Sequence, residues 1–324
     1  MSKFGIILFS VSLLIHFNGF SAQSSAPNVD QKAVLVTGSN SGLGLKMTQE
    51  LSKNGFYVYA GVLHKHEMQV MNAMDNVTAV QFDVRNQTEI NAAVDFVKAQ
   101  GRGLYGLINN AGVAVFGPMI ELPVEQLQYQ FDVNVMGPFR VTQAFAPMII
   151  ESKGRIATTG SIAGVLASPM FGAYSMSKHA IEAYTDALSK EVNRFGVSVH
   201  VIEPGNYASN IGNAASKLIT ETNYWTDDSR YKQERDGTLA ALSQVDKGND
   251  PIDVAKAALH IMQSDQPKLR YMVTATLGQA DATIRRQVSK MLELNNGQVH
   301  QFDRARLIEM LDEEIDKVSK NSQK

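Results

Sequence analysis

The sequence predicts an α/β protein: a doubly wound parallel sheet of about seven strands with helices on both faces, in a single domain. Three features lead to this prediction. Short apolar, β-branched runs alternate with amphipathic segments along the chain, which is typical of parallel strands joined by crossover helices. A glycine-rich turn follows the first of these runs. No Pro-rich linker, internal repeat or low-complexity tract divides the 324 residues, so one large unit is expected.

The strands are predicted from apolar runs that end at glycine or polar residues. The first run, Ala33 to Thr37, ends at glycines, as a strand buried on both faces would. The other strands are predicted at residues 56–63, 77–82, 104–108, 155–159 and 197–202, with a weaker seventh at 272–275.

Helices are predicted between the strands from their spacing and their end signals. Residues 43–53 place leucine and methionine on one face, and Gly55 stands where a helix C-cap belongs. The helix between the third and fourth strands can be capped by Asn86 or Thr88 and is closed by Gly101.

Composition excludes several classes of protein. Hydrophobic residues make up 44% of the chain and charged residues 19%, which excludes a disordered chain and a coiled coil. A formal net charge of −2 gives no basic excess for a nucleic-acid partner. The chain has no Cys, which excludes disulfide scaffolds, Cys-ligated metals and thiol nucleophiles. No metal site is predicted, because His64, His66 and Glu67 lack further spaced ligands.

The amino terminus differs from the rest of the chain. Lys3 precedes an apolar run over residues 4–17, and small polar residues follow it. This pattern predicts a signal peptide or an N-terminal anchor at residues 1–26. It implies export to a periplasm, a lumen or the outside, or membrane anchoring, and it leaves cleavage open. Any membrane association is expected through this segment only, because no other run reaches spanning length.

The α/β domain is predicted at residues 30–280, followed by a C-terminal helical extension at 281–324. Within the domain, the polar segment 205–250 breaks the pattern and carries the only Trp, Trp225. That segment is interpreted as a substrate lid, or else as a surface excursion or dimer contact. The extension is expected to pack on the body or on a second subunit, and a homo-oligomer is expected. Its apolar face consists of Ile308, Leu311, Ile315 and Val318.

Residues 37–44 read TGSNSGLG, between the first strand and its helix. Glycines suit this position because the chain turns sharply and its backbone must approach a pyrophosphate with no Cβ in the way. The helix N-terminus behind the turn offers N–H groups and a partial positive charge to that anion. The spacing differs from both the G-x-G-x-x-G fingerprint and the Walker loop, so the turn alone is weak support for a dinucleotide site.

Five further motifs follow the glycine turn in order along the chain. They are NNAG at 109–112, FDVNVMG at 131–137, TGSIAG at 159–164, YSMSK at 174–178 and Pro204-Gly205. Together with the glycine turn, these motifs resemble the short-chain dehydrogenase/reductase family. The likeness runs from about residue 34 to 211, and its last part resembles the retinol and hydroxysteroid dehydrogenase branch. It implies a Rossmann-type fold and oxidoreductase activity.

Four residues are candidates for catalysis: Tyr174, Lys178, Ser161 and Asn134. Tyr174 and Lys178 lie four apart, so they share a helix face. A nearby ammonium is expected to lower the pKa of the phenol from about 10, so that Tyr174 can exchange a proton with a carbonyl or alcohol oxygen. Ser161 can hydrogen-bond that oxygen as charge develops on it. The resemblance implies that Asn134 holds a water linking Lys178 to solvent.

The resemblance implies NAD or NADP as cofactor, and the choice between them stays open. The second strand ends without an acidic residue that would bind a ribose 2′-OH. His64, Lys65 and His66 follow, and they can meet a phosphate or simply be solvated. The expected cofactor-binding residues are Gly38, Ser39, Asn40, Ser41, Gly42, Leu43, Gly44, Asp83, Val84, Asn110, Ala111, Gly112, Tyr174, Lys178, Pro204, Gly205 and Ser209.

The sequence thus predicts an NAD(P)-dependent oxidoreductase that interconverts an alcohol and a ketone or aldehyde. The resemblance suggests a lipophilic, steroid- or retinoid-like small molecule as the substrate. Two alternatives remain: a nucleotide-binding sensor or scaffold without turnover, and a reductase of carrier-bound acyl chains. The reaction direction is not predicted.

Overall fold

The computed structural model describes residues 31–244 and 248–321 and contains one parallel sheet of seven strands. The strand order is β3-β2-β1-β4-β5-β6-β7, which confirms the predicted doubly wound architecture. The strands are β1 Ala33–Thr37, β2 Tyr57–Val62, β3 Val77–Gln81, β4 Gly106–Asn109, β5 Arg155–Thr159, β6 Ser198–Pro204 and β7 Arg270–Val273.

Eleven α-helices lie in the part of the chain that the structure describes. Asn86 caps the third, because its side chain accepts hydrogen bonds from the backbone N–H groups of Thr88 and Glu89. The helices are α1 Gly42–Lys53, α2 Met68–Asn72, α3 Gln87–Ala99, α4 Val124–Phe131, α5 Gly137–Glu151, α6 Gly172–Val192, α7 Ile211–Thr222, α8 Lys232–Leu242, α9 Ile252–Gln263, α10 Leu277–Asn295 and α11 Arg304–Asn321.

Two apolar cores cover the two faces of the sheet. Successive residues of a strand point to opposite faces. Val34 and Val36 therefore pack with α1 and α9, as the burial of Met47 and Val254 in the same cluster indicates. Leu35 packs on the other face, with residues of α3 and α5. This two-sided burial explains why β1 reads as a continuous apolar run.

The last two strands depart most from the predicted bounds. β6 extends through Pro204, and Gly205 donates its backbone N–H to the Val273 carbonyl at 2.7 Å. β7 begins at Arg270 rather than Met272. As the edge strand, β7 is only half-buried, so its residues do not form the apolar run by which a strand is usually found.

The C-terminal region joins the body differently from the prediction. The expected boundary after residue 280 falls inside α10, whose first turn contacts the chain after β6. The apolar stripe of α11 is exposed, with Leu311 at 58% and Val318 at 66%. The stripe is therefore largely exposed in the single chain, and its packing on a second subunit stays a prediction.

The predicted N-terminal leader lies outside the described residues. Within the described ranges, no helix combines the length and the apolar character needed to cross a bilayer.

Candidate functional site

A large cavity opens at the carboxyl ends of the strands, where ligands bind in doubly wound sheets. It has a volume of about 1240 Å³, which is larger than the usual pocket for one drug-sized ligand. Its walls come from the glycine turn, the loop after β4, the end of β5, α6, the loop after β6, α7, α8 and the first turn of α10.

The glycine turn has the backbone conformation that its sequence requires. Gly38 and Gly42 have φ values of +65° and +51°, which side-chain-bearing residues rarely adopt. Gly44 is needed for a different reason, because a Cβ there would overlap the Gly38 carbonyl oxygen and lie 2.5 Å from the Asn110 side-chain nitrogen. The first turn of α1 therefore packs directly against the glycine turn.

The NNAG loop holds this turn in place. The Thr37 hydroxyl accepts the backbone N–H groups of Asn110 and Ala111, both at 2.9 Å. The Asn110 amide donates to the carbonyls of Thr37 at 3.0 Å and Gly38 at 3.2 Å. Gly112 lies beside Asn134, with room for a Cβ at 3.4 Å from its Oδ1. These bonds fix the position of the turn relative to β4.

Several of the predicted residues line the cavity next to α1. Ser41 is the N-cap of α1 but makes no side-chain capping bond, and the first turn of the helix carries no acidic residue. Its N–H groups thus remain available to an anion. Ser209 packs against the turn, since a Cβ added to Gly42 would lie 3.1 Å from the Cβ of Ser209. Asn40 donates to the Glu67 carboxylate at 2.6 Å.

Four predicted cofactor residues do not line the cavity: Ser39, Ala111, Asp83 and Val84. The Ser39 hydroxyl instead donates to the buried Val36 carbonyl at 2.6 Å. Burial alone would raise the pKa of Asp83, but hydrogen bonds from Arg85 and its charge prevail and lower that pKa. Asp83 and Val84 follow β3, two strands away from the glycine turn.

Ser161 and Tyr174 meet across the cavity. Ser161 caps a short 3₁₀ turn, and its hydroxyl accepts the Ala163 N–H at 3.1 Å and donates to the Pro204 carbonyl at 3.5 Å. Burial raises the pKa of Tyr174, and a hydrogen bond with Ser161 acts in the opposite direction without reversing the shift. Among the chain's own groups, burial has the largest effect on the pKa of Tyr174. The prediction that the nearby Lys178 makes this pKa lower than usual is therefore wrong.

Lys178 is buried beside this pair. Its Nζ donates to the Thr159 carbonyl at 2.7 Å and lies 5.6 Å from the centroid of the Tyr174 ring. Burial lowers the pKa of Lys178 to about 8, and the negative charge of Glu182 opposes that change. The lysine thus titrates closer to neutrality than a solvated one.

Asn134 lies in a π-helical turn, Asp132–Met136. Its side chain accepts the Val113 N–H at 2.8 Å, and donates to the Val113 carbonyl at 3.0 Å and to the Ser177 hydroxyl at 3.2 Å. Both amide hydrogens are used, so the side chain fixes the chain after β4. The water-holding role that the resemblance implies for Asn134 stays a prediction.

Two glutamines in or near the site were not predicted from the sequence. One is buried and the other lines the cavity. Gln130, which is fully buried on α4, accepts the Val115 N–H at 2.7 Å and donates to the Val113 carbonyl at 3.0 Å. Gln279 accepts the Asn206 N–H at 3.3 Å, after β6. A polar residue on the apolar face of a helix is the sequence signal that could have identified Gln130.

The far wall of the cavity is apolar and anchored by the segment predicted as a lid. Trp225 is 2% exposed and packs with Phe116, Ile219 and Leu242. The Tyr224 hydroxyl donates to the Phe116 carbonyl at 2.7 Å. Trp225 is therefore part of a buried cluster rather than of a surface excursion.

Comparisons with known proteins agree with this geometry. The short chain dehydrogenase family profile matches residues 32–218. The chain is 34% identical to an uncharacterized oxidoreductase, YbbO, from Escherichia coli over 76% of this chain and 87% of that protein. It is 31% identical to retinol dehydrogenase 7 of Mus musculus, over 78% of this chain and 83% of that protein.

A solved structure also superposes on the chain. It is an actinorhodin polyketide ketoreductase with NADPH, 25% identical, with a TM-score of 0.64 over 78% of this chain and 98% of that one. Since the family match covers more than half of the chain, the protein belongs to the short-chain dehydrogenase family and is an oxidoreductase of CH–OH groups that uses NAD or NADP.

Proposed function

We propose that the protein interconverts a lipophilic alcohol and its ketone or aldehyde, with Tyr174 as the acid or base. The observation that carries the proposal is the convergence of three side chains at one end of the cavity. The Tyr174 hydroxyl interacts with Ser161, and the Lys178 ammonium is buried beside the ring of Tyr174. A purely nucleotide-binding protein has no need of this arrangement.

The residues around the glycine turn fit a dinucleotide, because Gly38, Gly42 and Gly44 leave open backbone where a Cβ would crowd the turn. Gly38, Gly42 and the first turn of α1 would hold its pyrophosphate. When bound, the nicotinamide supplies or accepts the hydride.

The remaining steps belong to the chain's own side chains. Ser161 donates a hydrogen bond to the substrate oxygen on which charge develops. Tyr174 transfers the proton to that oxygen in reduction and removes it in oxidation. Burial raises the pKa of Tyr174, and a protonated phenol can act as the acid in carbonyl reduction.

We expect NAD to bind more tightly than NADP. Asn40 of the glycine turn holds the Glu67 carboxylate at 2.6 Å, so a fixed negative charge lies beside the place where the ribose is expected. A carboxylate accepts a hydrogen bond from the 2′-OH and repels a 2′-phosphate. Glu67→Gln should reduce the ratio of the NADPH and NADH dissociation constants by roughly tenfold, or about 1.4 kcal/mol. Fluorescence titration measures both constants.

The matched control for this prediction is Lys65→Gln, on the same exposed turn. It should leave NADH binding nearly unchanged. Tighter binding of NADPH than of NADH by the unmodified protein, abolished by Lys65→Gln, would contradict the prediction and assign the turn to phosphate recognition.

We expect a preference for lipophilic substrates. Phe116, Phe171, Ile211 and Leu242 line the far part of the cavity, and each buried CH₂ group contributes about 0.8 kcal/mol. A steroid ketone or retinal should therefore exceed a short-chain ketone in kcat/KM by on the order of 100-fold. The measurement is NADH oxidation with a panel of both types, together with a carrier-bound acyl ketone. A preference for the short or the carrier-bound compound would refute this substrate class.

A further inference from the structure

A second cluster of charged side chains adjoins Lys178 on the side away from the cavity and takes no part in the steps above. Glu182 follows Lys178 by one turn of α6, and Glu203 lies on β6. Arg270 of β7 reaches both carboxylates: its Nε is 3.1 Å from Glu182 Oε2 and 3.7 Å from Glu203 Oε1. A terminal nitrogen of Arg270 also donates to Asp186 at 2.6 Å.

One carboxylate oxygen of this cluster lacks a donor. Glu182 Oε1 is buried and receives no hydrogen bond. Gly160 and Gly164 pack against it so closely that a Cβ on either would lie 3.3 or 3.1 Å from that oxygen. Glu203 is itself only 6% exposed. Two ionised carboxylates side by side would leave this acceptor unpaired, whereas a protonated carboxyl is a donor.

The charges of the cluster also favour one bound proton. The groups that face one another are Lys178, Glu182 and Asp186 of α6, Glu203 of β6 and Arg270 of β7. The 3₁₀ turn that covers them, Ile162–Gly164, has no titratable side chain. With all five groups ionised the cluster carries one excess negative charge, and one bound proton makes it neutral. Burial, and next the charge of Glu182, raise the pKa of Glu203 to about 8.

We propose that one proton is held between Glu182 and Glu203 at neutral pH, mainly on Glu203, and that the negative charge left on Glu182 is the counter-ion that keeps Lys178 an ammonium. Glu182 is thus a positioning residue, which acts on the reaction through Lys178 and, like Glu203, touches neither substrate nor cofactor. The proposal rests on the proposed function for its catalytic consequence only, because the shared proton can be measured without turnover.

The proposal is tested by a matched pair of neutral, isosteric variants with opposite expected results. Glu182→Gln removes the counter-ion, so Lys178 should lose its proton at lower pH. The alkaline limb of kcat/KM, and of the NADH dissociation constant, should shift down by about one pH unit. Glu203→Gln places an amide donor against Glu182 and keeps its charge, so activity at neutral pH should stay within twofold.

Asp186→Asn is the control, because Asp186 pairs with Arg270 from a more exposed position. It should leave the pH profile in place, and Glu182→Asp should restore part of the shift that Glu182→Gln causes. If Glu182→Gln and the unmodified protein have the same alkaline limb, Glu182 does not act through Lys178 and the proposal is wrong.

Infrared spectroscopy measures the shared proton directly. The unmodified protein should show the carbonyl band of a protonated carboxyl at about pH 7 that is lost by about pH 10, and Glu203→Gln should lack this band. A band that persists in Glu203→Gln would overturn the shared proton. The band is expected even if no substrate is turned over, so failure of the proposed function and failure of this inference give different results.

Discussion

Tyr174→Phe should lower kcat for carbonyl reduction by on the order of 100- to 10,000-fold and leave the NADH dissociation constant within about twofold. The variant keeps the ring, which packs near Phe116 at a centroid distance of 6.2 Å, and removes only the oxygen that would carry the proton. Binding without turnover is the expected result, since Ser161 can still polarise the substrate oxygen but no acid is left to protonate it. Steady-state rates and fluorescence titration provide the two measurements.

Tyr184→Phe is the matched control for this variant. Tyr184 lies on the same helix and does not line the cavity, so loss of its hydroxyl should not affect kcat. Turnover of Tyr174→Phe at the rate of the unmodified protein would remove the assignment of the proton to this residue. Absence of turnover in both the unmodified protein and the variant, with tight NADH binding, would favour the sensor alternative.

Gly44→Ala should abolish useful dinucleotide binding and lower the free energy of unfolding by about 1–3 kcal/mol. Gly44 is in the first turn of α1, where helix propensity alone would favour alanine by about 1 kcal/mol. The new Cβ, however, would meet the Gly38 backbone carbonyl and the Asn110 side-chain amide, which is held by its hydrogen bonds to the Thr37 and Gly38 carbonyls. Either α1 or the glycine turn has to move, so the NADH dissociation constant should rise by on the order of 100-fold.

Gly237→Ala tests whether steric contact of the new Cβ causes the effects expected of Gly44→Ala. Gly237 is also helical, on α8, but no atom lies within 4 Å of the position its Cβ would take. This variant should raise the free energy of unfolding by about 0.5–1 kcal/mol in urea denaturation. If both glycines respond alike, with a gain in stability, the close packing of Gly44 does not limit cofactor binding.

The fold and the centre of the site could be predicted because their signals are local. β1 is apolar throughout because both of its faces are buried, and the glycine turn must begin where that strand ends. Tyr174 and Lys178 are four residues apart on one helix, so their proximity follows from helix geometry alone. The other residues of the site were predicted from the order of the motifs along the chain.

Features that arise between distant segments could not be predicted. Glu182 and Glu203 lie on different elements, and only the pairing of β6 beside β5, with α6 packed over β6, brings them together. The pKa of Tyr174 was expected to fall because Lys178 is near, but the degree of burial, which raises it, is a property of the whole fold. The exposure of the α11 stripe could not be predicted either, because the helical pattern shows that one face is apolar but not whether another surface covers it.

The sheet order has a consequence for how the protein matures during synthesis. β1 pairs with β2, which follows it closely in the chain, but its other partner is β4, and Val34 pairs with Gly106. The loop after β4 supplies Asn110, which holds the glycine turn. Loop closure over this distance opposes early pairing. A nascent chain that stops before β4 lacks the residue that holds the glycine turn, so we expect a dinucleotide to stabilise the protein only after the central strands have docked.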